Sequence, residues 1–225
     1  MPHFDIVRTA DIEPTYRVSH VMADYDVKTE HAKERFVGDI NIPDKWSIGC
    51  IVGGSGTGKS TIARELFPEN LWGGANWSSK SVIDDMPKSA NVNDIEKMFY
   101  AVGFGSVPSW LKPFSVLSNG EKMRVELARA MLEKDFIVFD EFTSVVDRQI
   151  AQTASIAINK AVRRMGKQFI AVTCHYDILE WLQPDWVFDT NEMRSFFMTS
   201  LDRKNNLKSN GATEANGKSL SVITI

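Results

Sequence analysis

Residues 46–67 read WSIGCIVGGSGTGKSTIARELF, and this stretch decides the fold. Trp46 to Val52 is an apolar run of a length that suits a buried strand. It passes directly into Gly53-Gly54-Ser55-Gly56-Thr57-Gly58-Lys59-Ser60, followed by Thr61, and residues 53–60 fit the pattern G-x-x-x-x-G-K-[ST]. From Ser60 to Phe67 the pattern is helical, and Pro68 stops it. Strand, glycine loop and helix in that order make a phosphate cradle, or P-loop. The glycines let backbone amides turn inward and approach an anion closely. The helix directs its positive end at the same point. Lys59 places a charge on the outer phosphates, and Ser60 offers a hydroxyl to Mg2+.

Apolar strands and helices alternate on the carboxyl side of this loop. Phe136 to Phe139 (FIVF) and Phe169 to Thr173 (FIAVT) read as buried strands, and Trp186–Phe188 and Arg194–Met198 as closing strands. Asn91 to Val102 is helical, as are residues 119–133, with Met123, Leu127, Ala130 and Met131 on one face. A further helix runs from about Asp147 to Met165, with a core stripe of Ile150, Ala154, Ile158, Ala161 and Val162, and Gly166 ends it. A short helix lies around Ile178 to Leu182. Such alternation predicts an α/β fold whose mainly parallel sheet is covered on both faces. Residues 1 to about 52 read as strands, including TYRVSHVMADYDV and RFVGDINI, and add an antiparallel part. Ser81 to Asp85 (SVIDD) reads as one more short strand. The expected organisation is one domain over 1–202, with a small helical subdomain at about 88–133. A polar tail over 203–225, rich in Asn, Ser, Lys and Gly, reads as disordered.

The 225 residues are 43% hydrophobic and 24% charged, with a net charge of −3. That balance is ordinary for a globular protein and argues against a strongly basic nucleic-acid surface. Cys50 and Cys174 lie in apolar runs and read as reduced thiols of a cytoplasmic protein. The amino terminus has no apolar core of a signal peptide. No apolar run approaches ~18 residues, so no membrane insertion is expected.

Asp140 and Glu141 follow FIVF directly. Acids at the carboxyl edge of a parallel sheet stand where α/β folds bind ligands. Asp140 would hold Mg2+, directly or through water, and Glu141 would polarise an attacking water. A buried pair of acids would be costly without a cation nearby. Upstream, Leu117-Ser118-Asn119-Gly120-Glu121 opens the helix over 119–133. Ser118 as N-cap with Glu121 three positions on is a capping box. The same helix start, with Gly120 leaving the approach open, can receive an anion.

LSNGE followed by Arg124 and a helix, then a strand ending in Asp140-Glu141, resembles the signature region of the ABC-type ATPases. Ser144-Val145-Val146-Asp147 resembles that family's D-loop, and His175 its switch histidine, which reaches the γ-phosphate. The resemblance covers roughly residues 15–190 and implies a P-loop NTPase of ABC type, a Mg2+-dependent ATPase. It further implies a head-to-tail, ATP-dependent homodimer. ATP would sit between residues 53–61 of one copy and Ser118, Gly120 and Asp147 of the other. Glu141, His175 and Lys59 would be catalytic, and Ser60 and Asp140 would hold the metal. Tyr25 is the candidate for stacking on the base, with Phe36 and Trp46 as competitors.

One departure stands out. The family carries a glutamine between P-loop and signature, and no Gln occurs between Lys59 and Leu117. Asp84 or Asp85 either substitutes for it, Asp84 as a further metal ligand, or merely ends an edge strand. The details VIDD, FTSVVDR, TCHYDI and WLQPDW are similar to a soluble, stand-alone group of ABC-type ATPases. Some members of that group are fused to acetyltransferase domains. Competing functions are a slow nucleotide-gated clamp on an unknown protein or nucleic-acid partner, and the detached energising subunit of a transporter.

Overall fold

The computed structural model describes residues 2–9, 12–27 and 33–198. The tail beyond Met198 lies outside these residues. Two sheets form. His3–Thr9 (β1) pairs antiparallel with Lys33–Asp39 (β2). Ile48–Val52 (β3), Phe136–Phe139 (β4), Gln168–Thr173 (β5), Trp186–Asp189 (β6) and Arg194–Phe197 (β7) form a second sheet in the order β4-β5-β3-β6-β7. Its pairs are parallel except β6 with β7, which is antiparallel.

Successive side chains alternate faces, as strand geometry demands. Cys50, Val52, Ile137, Phe139, Phe169, Ala171 and Val187 point into one core cluster. Ile51, Val138, Ile170, Val172, Trp186 and Phe188 point into the other. The first face is covered by Val92–Ala101 (α3), Asn119–Glu133 (α5), Arg148–Met165 (α6) and Ile178–Leu182 (α7), whose buried residues share its cluster. The second face is covered by Lys59–Leu66 (α2) and the β1-β2 ribbon, through Ile62, Ala63, Phe4 and Phe36. This is the mixed α/β architecture expected, and the helices over 119–133 and 148–165 and all four apolar strands fall where periodicity placed them. Asn91 caps α3, and Gly166 ends α6 in the left-handed conformation.

Two expectations are corrected. Residues 16–24 are not strand: Tyr16–Asp24 forms a helix (α1), capped by Thr15, whose hydroxyl accepts from the Val18 amide. None of its residues is buried. Val18, Val21, Met22 and Tyr25 do recur at helical spacing, but the Tyr and Val content favours a strand reading. Ser81–Asp85 is a turn. Its amides at Val82 and Ile83 donate to Lys112 and Trp110 carbonyls, and the acid at 85 folds back onto the amides of Ser78 and Ser79. The loop after α3 also carries more structure than its prolines suggested, with a short helix Val107–Trp110 (α4) and a 3-10 turn Phe114–Val116.

Asp185 anchors the amino ends of the sheet. Its carboxylate accepts from the Ser47 and Ile48 amides at 2.7 and 2.9 Å and from Arg163 of α6 at 3.1 Å. Asp185→Ala would leave the Ser47 and Ile48 amides without their acceptor and take one of the acceptors of Arg163, which keeps Asn159 and the Gln183 carbonyl, at a cost of about 1–3 kcal/mol. The expected result is a lower denaturant midpoint with nucleotide affinity unchanged, since these contacts lie at the opposite end of β3 from Val52.

Candidate functional site

The site is built where β3, β4 and β5 end. The β3-β5 register pairs Val52 with Thr173, and the β4-β5 register pairs Phe139 with Ala171. The loops that follow, at 53–58, 140–147 and 174–177, therefore leave the sheet along one edge. This is the edge at which α/β folds bind ligands.

The P-loop is shaped to hold an anion. Gly58 is the N-cap of α2, with φ +86°, in the left-handed region that favours glycine. A Cβ there would also lie 2.6 Å from the Phe36 ring, which packs beneath the loop. No side chain caps α2, so its first amides are left for a ligand. Lys59 is only 8% exposed and its Nζ donates to the Gly54 carbonyl at 2.6 Å. The ammonium is thereby held over the loop. The Thr61 hydroxyl accepts from Arg8 of β1 at 3.2 Å, which ties the ribbon to α2.

Ser60 and Asp140 meet. The hydroxyl donates to Asp140 Oδ1 at 2.9 Å, and Arg64 Nη2 stands 3.7 Å from Oδ2. Two hard oxygen donors at this separation suit Mg2+, which typically takes one or two protein ligands and fills its shell with water and phosphate. Among the described residues no group of three or more His, Cys, Asp or Glu gathers as a fuller metal cage. The expected burial of the acid pair is corrected: the Asp140 side chain is 17% exposed and Glu141 is an exposed residue. Asp140 is held instead by donors, namely Ser60, Arg64 and the Glu141 amide at 3.0 Å. Glu141 itself accepts from Ser144 Oγ at 2.6 Å. Glu141 and Thr143 both have positive φ, 54° and 67°. For the β-branched Thr143 this is a strained conformation of the kind that collects at functional turns. Its hydroxyl is buried with no hydrogen-bond partner.

His175 follows β5 by two residues, half-buried, its amide donating to Thr173 Oγ1 at 3.2 Å. The residue after it opens a network that sequence reasoning missed. Tyr176 donates its hydroxyl to Asp189 at 2.8 Å and accepts from Asn191 Nδ2 at 2.8 Å. Asn191 Oδ1 in turn accepts from the Gly54 amide at 3.1 Å. Thr190 shares a hydrogen bond with Thr57 and donates to the Val52 carbonyl. The segment 189–191 thus braces the P-loop from the β6 side and joins it to the residue beside His175. The available signal was Asp-Thr-Asn at the carboxyl end of a parallel strand.

Ser118 and Gly120 stand apart from this edge. Ser118 is the N-cap of α5 in a complete capping box with Glu121, and is exposed. Hydrogen bonds from Ser109 and from the Ser118 amide hold the Glu121 carboxyl below its ordinary range. Gly120 is buried, and a Cβ there would fall 2.8 Å from Ile150 of α6. Its lack of a side chain thus serves packing between α5 and α6 and does not simply leave an approach open. Asp147 caps α6, accepting from the Ile150 amide at 2.9 Å. No hydrogen bond or ion pair among the described residues joins Ser118, Gly120 or Asp147 to residues 53–61.

The remaining candidates separate clearly. Tyr25, at the carboxyl cap of α1 rather than on a strand, is 76% exposed. Its competitors are used in packing: Phe36 lies under Gly58, and Trp46 meets Phe136 and Trp186 edge to face. Asp84 is exposed and takes a hydrogen bond from Ser81. Among the described residues, no hydrogen bond or ion pair joins Asp84 or Asp85 to Ser60 or Asp140. Cys50 is buried, and burial pushes its thiol up, whereas Cys174 is only partly buried; both are free.

A glycine loop, a lysine, a hydroxyl–carboxylate pair and a second acid on one edge of a parallel sheet define a P-loop nucleotide-binding protein. Comparison with known proteins narrows the class. No family model matches the chain. Over 136 residues it is 26% identical to the ABC-type transporter MDR1 of Aureobasidium melanogenum, a match spanning 59% of this chain and 10% of that one. It is 31% identical over 121 residues to the ABC multidrug transporter atrD of Emericella nidulans, spanning 50% and 9%. It is 36% identical over 67 residues to the spermidine/putrescine import ATP-binding protein PotA of Mesomycoplasma hyopneumoniae, spanning 29% and 15%. The matches thus span about a tenth of the multidrug transporters' length. Among solved structures, the fold matches the dimeric MJ0796 cassette bound to ADP and Pi at TM-score 0.59, with 14% identity over 88% of this chain and 98% of that one. It matches CbiO1 from Clostridium perfringens, part of an ABC transporter complex, at TM-score 0.54, with 20% identity over 73% and 80%. The fold is that of the ABC-type ATP-binding cassettes, and the sequence is similar to theirs over part of its length. Among the described residues no helix is long and apolar enough to cross a membrane.

Burial first, and then the hydrogen bond to Asp189, push the Tyr176 phenol up to about 12. A raised value means that folding favours the neutral phenol. That contribution is complete below about 10, the ordinary tyrosine value, and fades as pH climbs through about 12. Ultraviolet titration of phenolate should show one of the four tyrosines ionising late, and Tyr176→Phe should delete that step. Four tyrosines titrating together near 10 would contradict the network.

Proposed function

We propose that the chain binds ATP with Mg2+ on residues 53–61 and hydrolyses it, and that two copies arranged head to tail complete each site. The observation that carries the reading is the contact between Ser60 of the P-loop and Asp140 just after β4, with Glu141 adjoining it on the same edge.

In this reading the uncapped start of α2 and the loop amides receive the phosphates, and Lys59 leaves the Gly54 carbonyl for the outer ones. Ser60 and Asp140 hold Mg2+, which neutralises charge developing on the phosphates. Glu141 accepts a proton from the attacking water once its carboxylate leaves Ser144. His175 stands at the end of the neighbouring strand, where it can meet the γ-phosphate. Tyr25, exposed at the carboxyl cap of α1, stacks on the base.

Three observations support a site completed by a second copy. Ser118, Gly120 and Asp147 make no contact with their own P-loop, Ser118 is exposed at a helix start, and the MJ0796 cassettes that share the fold are dimeric. The process that closure drives, and the partner it acts on, depend on surfaces beyond the nucleotide site.

Glu141→Gln should lower ATP turnover by about 10²–10⁴-fold. It should leave ATP binding intact and yield a dimer that persists in ATP, visible by light scattering. Turnover equal to that of the wild type would remove Glu141 from the chemistry.

A further inference from the structure

The segment that leaves α2 for the helical part of the chain is where the family's glutamine is missing. At one end it joins the catalytic strand: Leu71 bridges Val138 in parallel, the Trp72 amide donates to the Val138 carbonyl at 2.8 Å, and the Val138 amide donates to Asn70 at 2.9 Å. This edge contact lies two residues before Asp140. At the other end the segment joins α5. Trp72 Nε1 donates to Glu126 Oε2 at 2.7 Å, and Trp77 Nε1 donates to Glu126 Oε1 at 2.5 Å. Each carboxylate oxygen therefore takes one indole. The Arg129 guanidinium lies over the Trp77 ring at 5.1 Å and donates to the Asn76 carbonyl at 2.9 Å. Trp77 also stacks flat on Phe114, with centroids 4.7 Å apart and planes 3° apart, just ahead of Ser118.

We infer that Glu126 is a positioning residue that fixes the orientation of the Ser118 half-site against the catalytic strand. Apolar packing alone would let the ring pair slide. Two charge-assisted hydrogen bonds from one carboxylate set both position and angle. Glu126 acts through α5 and touches no nucleotide of its own chain. The inference rests on the shared-site reading above, because orientation of Ser118 matters only to a nucleotide held by the other copy.

Glu126→Gln in the full-length protein tests it, because an amide offers one acceptor oxygen to two indole donors. ATP affinity of the dilute chain, measured by equilibrium binding, should match the wild type. ATP-dependent dimerisation and kcat should each fall about tenfold or more, as expected for a half-buried donor left unpaired. Trp77→Phe keeps the stack on Phe114 and removes one donor, and should show a smaller loss in the same two readouts. Should Glu126→Gln misfold, Trp77→Phe alone decides. Loss of ATP affinity in step with kcat, or wild-type dimerisation and kcat, would overturn the inference. If the wild type neither dimerises with ATP nor hydrolyses it, the shared-site reading fails and takes this inference with it. If the wild type does both and the variants match it, only the inference fails.

Discussion

The parallel pairing of β5 with β3 on one side and β4 on the other is the constraint from which the site follows. Parallel strands need both faces covered, because their hydrogen bonds and apolar side chains leave no wet face. The two core clusters meet that need from opposite sides of the sheet. With both registers locked by buried alternation, a one-residue slip would turn each strand inside out. The ends of the three strands are therefore fixed relative to one another, with β3 and β5 ending together at Val52 and Thr173 and β4 ending two residues earlier, opposite Ala171. Bringing Ser60 to within 2.9 Å of Asp140 then needs no special contact elsewhere.

Around that edge the polar groups are arranged so that a ligand replaces existing partners. Lys59 rests on Gly54, Ser60 on Asp140, and Glu141 is held by Ser144. Each pairing satisfies a polar group that would otherwise be left open, and each can be exchanged for phosphate, metal or water at little net change. The strain sits at Glu141 and Thr143, where the chain turns from β4 towards α6. The bracing sits at 189–191, where Thr190 and Asn191 hold the P-loop from behind. A rigid loop next to a strained turn is a reasonable division of labour for a site that must hold phosphate firmly and reposition one acid.

Residues whose role depends on local order could be read directly from the chain. The P-loop, the FIVF strand with its acids, the Ser118–Glu121 capping box and the stripe of α6 all follow from spacing, and the structure places each as read. What depends on tertiary placement could not. The helix at Tyr16–Asp24 does space Val18, Val21, Met22 and Tyr25 as a helix would, but it buries nothing, and its Tyr and Val content reads as strand. SVIDD has the composition of a strand, but Asp85 turns back to bind the amides at 78 and 79, and the segment curls. Gly120 was read as an open approach, whereas Ile150 of another helix fills the space beside it. The Glu126 clasp joins residues about fifty positions apart, and no short-range pattern marks it.

The central claim is that each nucleotide is held by two chains, and complementation between two inactive variants tests it most directly. Lys59→Ala disables the P-loop and Ser118→Arg disables the other half-site. Each variant alone should be inactive. Mixed, they form heterodimers with one intact composite site, and the account predicts that ATPase activity returns. If the mixture stays inactive although heterodimers form, or if Ser118→Arg alone hydrolyses ATP at the wild-type rate, the site is not shared.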